Sequence, residues 1–125
     1  MRFRQHPEID PIGGIAQGVG QALFEKIIYD EGSGQLITGS FMDYGMPRAD
    51  DFPTIVSELV EIPSKTNPLG IKGIAESGTI GAPPTVVNAV LDALRGCGVE
   101  HLNMPLTSAR VWDAVNAGAK ANVRA

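Results

Sequence analysis

The chain has a single cysteine, Cys97, among 125 residues, so it cannot close an internal disulfide or build a cysteine-based metal site alone. Histidine is nearly as scarce. His6 and His101 lie far apart without the close pairing that a metal site needs, and no protein metal ligand is assigned. Basic residues do not dominate either: ten Lys and Arg face fourteen Asp and Glu, for a net charge of -4. That balance leaves no electrostatic footprint for nucleic acid. No apolar run approaches the roughly 20 residues that span a bilayer. The N-terminus also lacks the basic-then-apolar pattern of a signal peptide, so a cytoplasmic protein without membrane insertion is expected. What remains is one domain's worth of chain with an ordinary apolar content of 43%, enough for a modest core.

Glycine is what the chain has in abundance, and it is concentrated where chemistry is expected. Residues 70–84 read Gly-Ile-Lys-Gly-Ile-Ala-Glu-Ser-Gly-Thr-Ile-Gly-Ala-Pro-Pro, which places four glycines around one carboxylate, Glu76. Such clusters suit a backbone that turns tightly or approaches another group closely. Pro83 and Pro84 can open a helix, and Val86, Val87, Val90, Leu91 and Leu94 continue with helical period. A helix start therefore follows the glutamate. Its free N–H groups and dipole favour an anion, either a bound one or the carboxylate itself.

Elsewhere the pattern predicts an α+β fold, with helices packed on a small sheet. Residues 1–12 are polar and proline-punctuated, an irregular lead-in. Over 13–24, Ile15, Ala16, Val19, Ala22 and Leu23 share one helical face. Two β-prone runs flank Asp30-Glu31-Gly32-Ser33-Gly34 and predict a hairpin over 26–38. The alternation in 54–62 predicts a strand that feeds the glycine-rich loop. Helices are expected over 83–96, ended by Gly96 and Gly98, and over 107–117, with Thr107 as N-cap and Trp112 anchoring the helix to the core. Residues 118–125 are expected to fray.

Three separated motifs, in order, carry a resemblance: Gly-Gly-Ile-Ala-Gln-Gly-Val-Gly-Gln-Ala-Leu from Gly13, the string from Lys72 to Val90, and Met-Pro-Leu-Thr-Ser-Ala-Arg-Val-Trp from Met104. Over 13–117 the chain resembles the C-terminal segment of the molybdopterin-binding large subunit of the molybdenum hydroxylases, the xanthine dehydrogenase, aldehyde oxidase and carbon monoxide dehydrogenase family. The resemblance implies that Glu76 is the active-site base and that Gln17 hydrogen-bonds near the molybdenum cofactor. Gly18, Gly73, Ala75 and Ser77 are the further cofactor-binding positions that it implies. One departure stands out: Ala75 occupies a place where the family usually has glycine, and alanine tolerates positive φ poorly.

The same resemblance implies an oxidoreductase acting on a small molecule, with iron-sulfur clusters and FAD on partner subunits or domains and the rest of the large subunit supplying most cofactor contacts. Alone, the chain is expected to be inactive, to expose apolar surface, and to present Gln17 and Glu76 on a common face. A structural or assembly module that keeps the fold without the cofactor is the competing reading. An unrelated anion-binding domain using the Pro83 helix start is a third.

Overall fold

The computed structural model describes residues 11–58, 60 and 62–122. Three helices carry the architecture: α1 (Pro11–Leu23), α2 (Ser77–Leu94) and α3 (Ser108–Asn122). Short 3-10 turns lie at Ala49–Asp51 and Arg95–Cys97. The tertiary structure is dominated by α1 packing on α2.

The expected sheet is not found among the described residues. Among the described residues there is no strand, and the 26–38 run holds one isolated antiparallel bridge, Tyr29 to Leu36. The hydrogen bonds show why no ladder forms, since a ladder pair must exchange two backbone bonds. Ile37 donates to the Ile28 carbonyl, but the Ile28 N–H turns to the Thr38 hydroxyl oxygen at 3.0 Å. Asp30 donates to the Gln35 carbonyl, while the Asp30 carbonyl accepts from Gly34 instead of Gln35. Each prospective pair therefore keeps half of its bonds. Two strands without a third, or a helix, against their apolar face are marginal in any case. Ile27 and Tyr29 are correspondingly exposed. The predicted strand over 54–62 includes Leu59 and Glu61, which lie outside the described residues. The remainder of that run is unpaired, with Val56 and Val60 each 82% exposed. The α+β expectation is thus corrected to three helices joined by irregular segments.

Helix α2 begins six residues before the expected start, immediately after Glu76, and holds Pro83 and Pro84 inside it. Proline removes the donors that the Thr79 and Ile80 carbonyls would otherwise use, so local preference opposes this course. Contact with α1 overrides it. A β-carbon placed on Gly18 would fall 2.8 Å from both Ala82 Cβ and Pro83 Cδ, and one on Gly78 2.7 Å from the Pro11 carbonyl oxygen and 2.8 Å from the Ile15 nitrogen. The two helices cross with their backbones nearly touching. Gly14 and Gly18 of α1 meet Gly78 and Ala82 of α2, each pair spaced by four so that it lies on one stripe.

At its other end α2 passes into the 3-10 turn and stops at Gly98, which takes φ 74°. The segment beyond returns to α1, where the Leu106 N–H donates to the Ala22 carbonyl at 2.6 Å. Ala22, Ala82, Val99 and Leu106 form the small buried core. Helix α3 starts where expected, with Arg110 N–H reaching Thr107 Oγ1 at 3.4 Å, and it continues to Asn122, past the predicted end. Arg110 Nη1 also donates to the Asn103 and Met104 carbonyls at 2.8 and 3.1 Å. Gly118 lies against the Cys97 carbonyl. Trp112 does not anchor this helix, because its side chain is 65% exposed.

The chain exposes 10160 Å², whereas a folded monomer of 13.2 kDa exposes roughly 6400 Å². Many large apolar side chains among the described residues are exposed. Phe41 and Met42 are 84% and 93% exposed at a turn held by Ser40 and Asp43. No helix among the described residues is long and apolar enough to cross a membrane.

Candidate functional site

Glu76 is the residue before α2, with φ -93° and ψ -7°, and its side chain does not cap the helix. Its carbonyl accepts the Ile80 N–H at 2.9 Å. Just upstream, the turn is closed by Ser77, whose N–H and hydroxyl both donate to the Ile74 carbonyl at 3.0 and 2.7 Å. Ser77 is therefore engaged in shaping the loop. The loop itself is presented by a second turn, in which Asn67 Oδ1 accepts the Leu69 N–H, Ser64 donates to the Gly70 carbonyl, and Gly70 takes φ 68°. Left-handed backbone is confined here to Gly70. Among the described residues no non-glycine has positive φ, and Gly73 does not have it either. Ala75 consequently sits in this loop without the strain its Cβ would create in a left-handed conformation.

Gln17 is an exposed residue of α1, one turn beyond Gly14. Gly14 touches the start of α2: a β-carbon there would lie 3.2 Å from the Thr79 nitrogen and 3.4 Å from the Gly78 α-carbon. Those contacts bring together the segments carrying Gln17 and Glu76. One helical turn, one close backbone contact and two residues of chain separate their α-carbons, a span of at most about 18 Å. No hydrogen bond joins the two side chains. Both are exposed, and neither has a hydrogen-bonding partner among the described residues.

The other sequence-derived positions divide. Gly73 and Ala75 are exposed beside Glu76, with open space where a Gly73 side chain would project. Gly18 is buried and faces Ala82 and Pro83, so in this chain it serves the helix crossing. Sequence reading did not single out Thr79, whose half-buried hydroxyl donates to the Gly14 carbonyl at 3.3 Å across the crossing. Nothing in the local pattern distinguishes it from any threonine near a helix start.

Two surface hollows lie away from these residues. One, of about 810 Å³, runs along the end of α2 by Asp92, Arg95 and Glu100. The other, of about 480 Å³, lies between Ile12 and Ala16 of α1 and the Phe52–Ile55 segment. Neither is lined by Gln17 or Glu76. No group of three His, Cys, Asp or Glu among the described residues could hold a metal ion. The groups near Glu76 offer proton transfer and hydrogen bonding. An exposed carboxylate at a helix start and an unpartnered amide nearby fit that chemistry: one accepts a proton, and the other donates and accepts hydrogen bonds.

Residues 9–53 match the molybdopterin cofactor-binding domain family. The chain is 43% identical over 99 residues to the nicotine 6-hydroxylase large subunit of Paenarthrobacter nicotinovorans, covering 79% of this chain and 12% of the relative. It is 39% identical over 103 residues to the carbon monoxide dehydrogenase large chain of Hydrogenophaga pseudoflava, covering 82% and 13% respectively. Its fold superimposes on quinoline 2-oxidoreductase from Pseudomonas putida 86 with a TM-score of 0.76 and 45% identity, over 83% of this chain and 13% of that one. The chain thus spans about an eighth of the length of the curated relatives it matches. It belongs, as a molybdopterin-binding fragment, to the molybdenum hydroxylase family of xanthine dehydrogenase and carbon monoxide dehydrogenase large subunits.

Proposed function

We propose that this chain is the C-terminal portion of a molybdenum hydroxylase large subunit, in which Glu76 is the catalytic base and Gln17 hydrogen-bonds to the cofactor. The observation that carries this reading is the crossing of α1 and α2. It brings an exposed, unpartnered carboxylate and an exposed, unpartnered amide into one region, directly ahead of a helix start. When bound, the molybdenum cofactor supplies the two-electron oxidation of a small organic or inorganic substrate.

This chain's residues hold and move a proton. The Glu76 carboxylate, exposed directly ahead of the α2 start, receives it. The Gln17 amide orients what lies in front of it, donating through Nε2 and accepting through Oε1. Gly73 and Ala75 bring little side-chain bulk, which lets a large group approach the loop backbone. Iron-sulfur and FAD subunits carry the electrons away, as the resemblance implies.

An exposure about 1.6 times that of a folded monomer supports the remainder of the subunit as the missing cover. Molybdenum analysis tests the reading. The complete large subunit containing this segment is expected to bind the cofactor stoichiometrically and to lose occupancy on Gln17→Ala, while the chain purified alone retains none. Stoichiometric molybdenum in the isolated chain, or full occupancy and activity in Gln17→Ala, would contradict it.

A further inference from the structure

Thr79 stands at the third position of α2, where a threonine hydroxyl ordinarily bonds to nearby backbone. Here it reaches 65 residues back along the chain to the Gly14 carbonyl, from a half-buried position. Gly78, beside it, is buried against Pro11, Gly14 and Ile15, with backbone atoms 2.7–3.0 Å from where its β-carbon would be. Gly14 in turn leaves room for the hydroxyl, because a β-carbon there would lie 3.2 Å from Thr79 Oγ1. The α2 start is thus seated on the α1 backbone by contact at Gly78 and by a directional bond at Thr79. Van der Waals contact between glycines limits how closely two helices approach but leaves sliding along the stripe open. A hydroxyl aimed at one carbonyl selects one register.

We infer that Thr79 is a positioning residue: its bond to the Gly14 carbonyl sets the placement of Glu76, three residues away, relative to Gln17 on the facing helix. The importance of that placement for proton transfer rests on the roles proposed above. The placement itself does not, and it can be measured in this chain without cofactor. In catalysis the geometry matters because a base displaced by about 1 Å can lose on the order of 100-fold in rate.

Gln17 and Glu76 are exposed, and Cys97 is the only cysteine. A Cys97→Ser chain carrying Gln17→Cys and Glu76→Cys can therefore be spin-labelled and its inter-label distance read by dipolar EPR. Thr79→Val, which keeps the shape but removes the donor, is expected to shift or broaden the distance distribution. Thr79→Ser is expected to restore it. Gly78→Ala supplies the displaced reference, since the backbone atoms it meets cannot step aside. Thr79→Ala repeats the loss of the hydroxyl without β-branching and is expected to behave as Thr79→Val. A parent-like distribution in Thr79→Val or Thr79→Ala, or a change that Thr79→Ser fails to reverse, overturns the assignment. Loss of activity in Glu76→Gln bears only on the proposed base, so the two ideas fail separately.

Discussion

Adding one methyl group to Gly18 and one to Gly13 should move stability in opposite directions. Both glycines lie in α1, and in each case alanine gains helix propensity, about 0.5–1 kcal/mol. That gain is common to the two variants and cancels to first order when they are compared. What differs is the space. At Gly13 an added β-carbon meets nothing within 4 Å, whereas at Gly18 it falls 2.8 Å from two carbon atoms of α2 and 3.2 Å from the Thr79 carbonyl oxygen. Carbon pairs sit comfortably at about 3.5–4.0 Å, so the helices must part by about 1 Å. Overpacking of that kind costs about 1–3 kcal/mol. Gly18→Ala should therefore be less stable than Gly13→Ala by that amount, or roughly 4–12 °C in Tm for a chain of this size. Thermal unfolding followed by far-UV circular dichroism reads the difference. Equal stabilisation by both substitutions would show that α1 and α2 are not in backbone contact, and the packing argument would fail.

Two hydrogen-bonded pairs give pH dependence of opposite sign. The Tyr44 hydroxyl donates to Glu25 Oε2 at 2.6 Å, and this bond to a carboxylate raises the phenol above its usual pKa. Its contribution to stability is complete below the ordinary tyrosine value and is lost as pH rises through the raised one; Glu25→Gln should bring the ultraviolet titration of Tyr44 back down. Asp30 accepts from the Ser33 hydroxyl at 2.6 Å and its N–H at 2.8 Å, which holds the carboxyl below its usual range. That contribution is present above the ordinary aspartate value and is lost as pH falls through the depressed one, so Ser33→Ala should raise the Asp30 midpoint in an NMR titration. Replacing Phe41 and Met42 by serine should reduce dye binding and self-association with little change in Tm, because both side chains are almost fully exposed. A large loss of Tm would place them in a core instead.

The helices were legible in the sequence wherever an apolar or small-residue period ran uninterrupted, as in α1 and the second half of α2. The first half of α2 was not. Two interior prolines argue for a start at Pro83, and only the seating of Gly78 and Ala82 on a helix some 60 residues away explains the earlier start. The β-prone runs of 26–38 and 54–62 misled for a related reason. Branched and aromatic residues signal a half-buried pleated surface, yet most of the large apolar side chains described in these runs are exposed, and the Thr38 hydroxyl and the Gly34 N–H take ladder positions. Trp112, an expected anchor of α3, is 65% exposed, because apolar size alone does not say which side of a helix is covered. The candidate site was visible as a carboxylate among glycines. Its relation to Gln17 depends on a helix crossing that no local pattern encodes.

The most direct measurement is the turnover of Glu76→Gln in the complete large subunit with its electron-transfer partners, with molybdenum content determined on the same sample. Glutamine keeps the size of the side chain and an oxygen that can accept hydrogen bonds, but it cannot take up the proton. General-base assistance contributes about 100- to 10,000-fold, so kcat should fall within that range while molybdenum content and thermal stability stay near those of the parent. Activity retained within about tenfold, equivalent to roughly 1.4 kcal/mol in the barrier, would show that Glu76 is not the base.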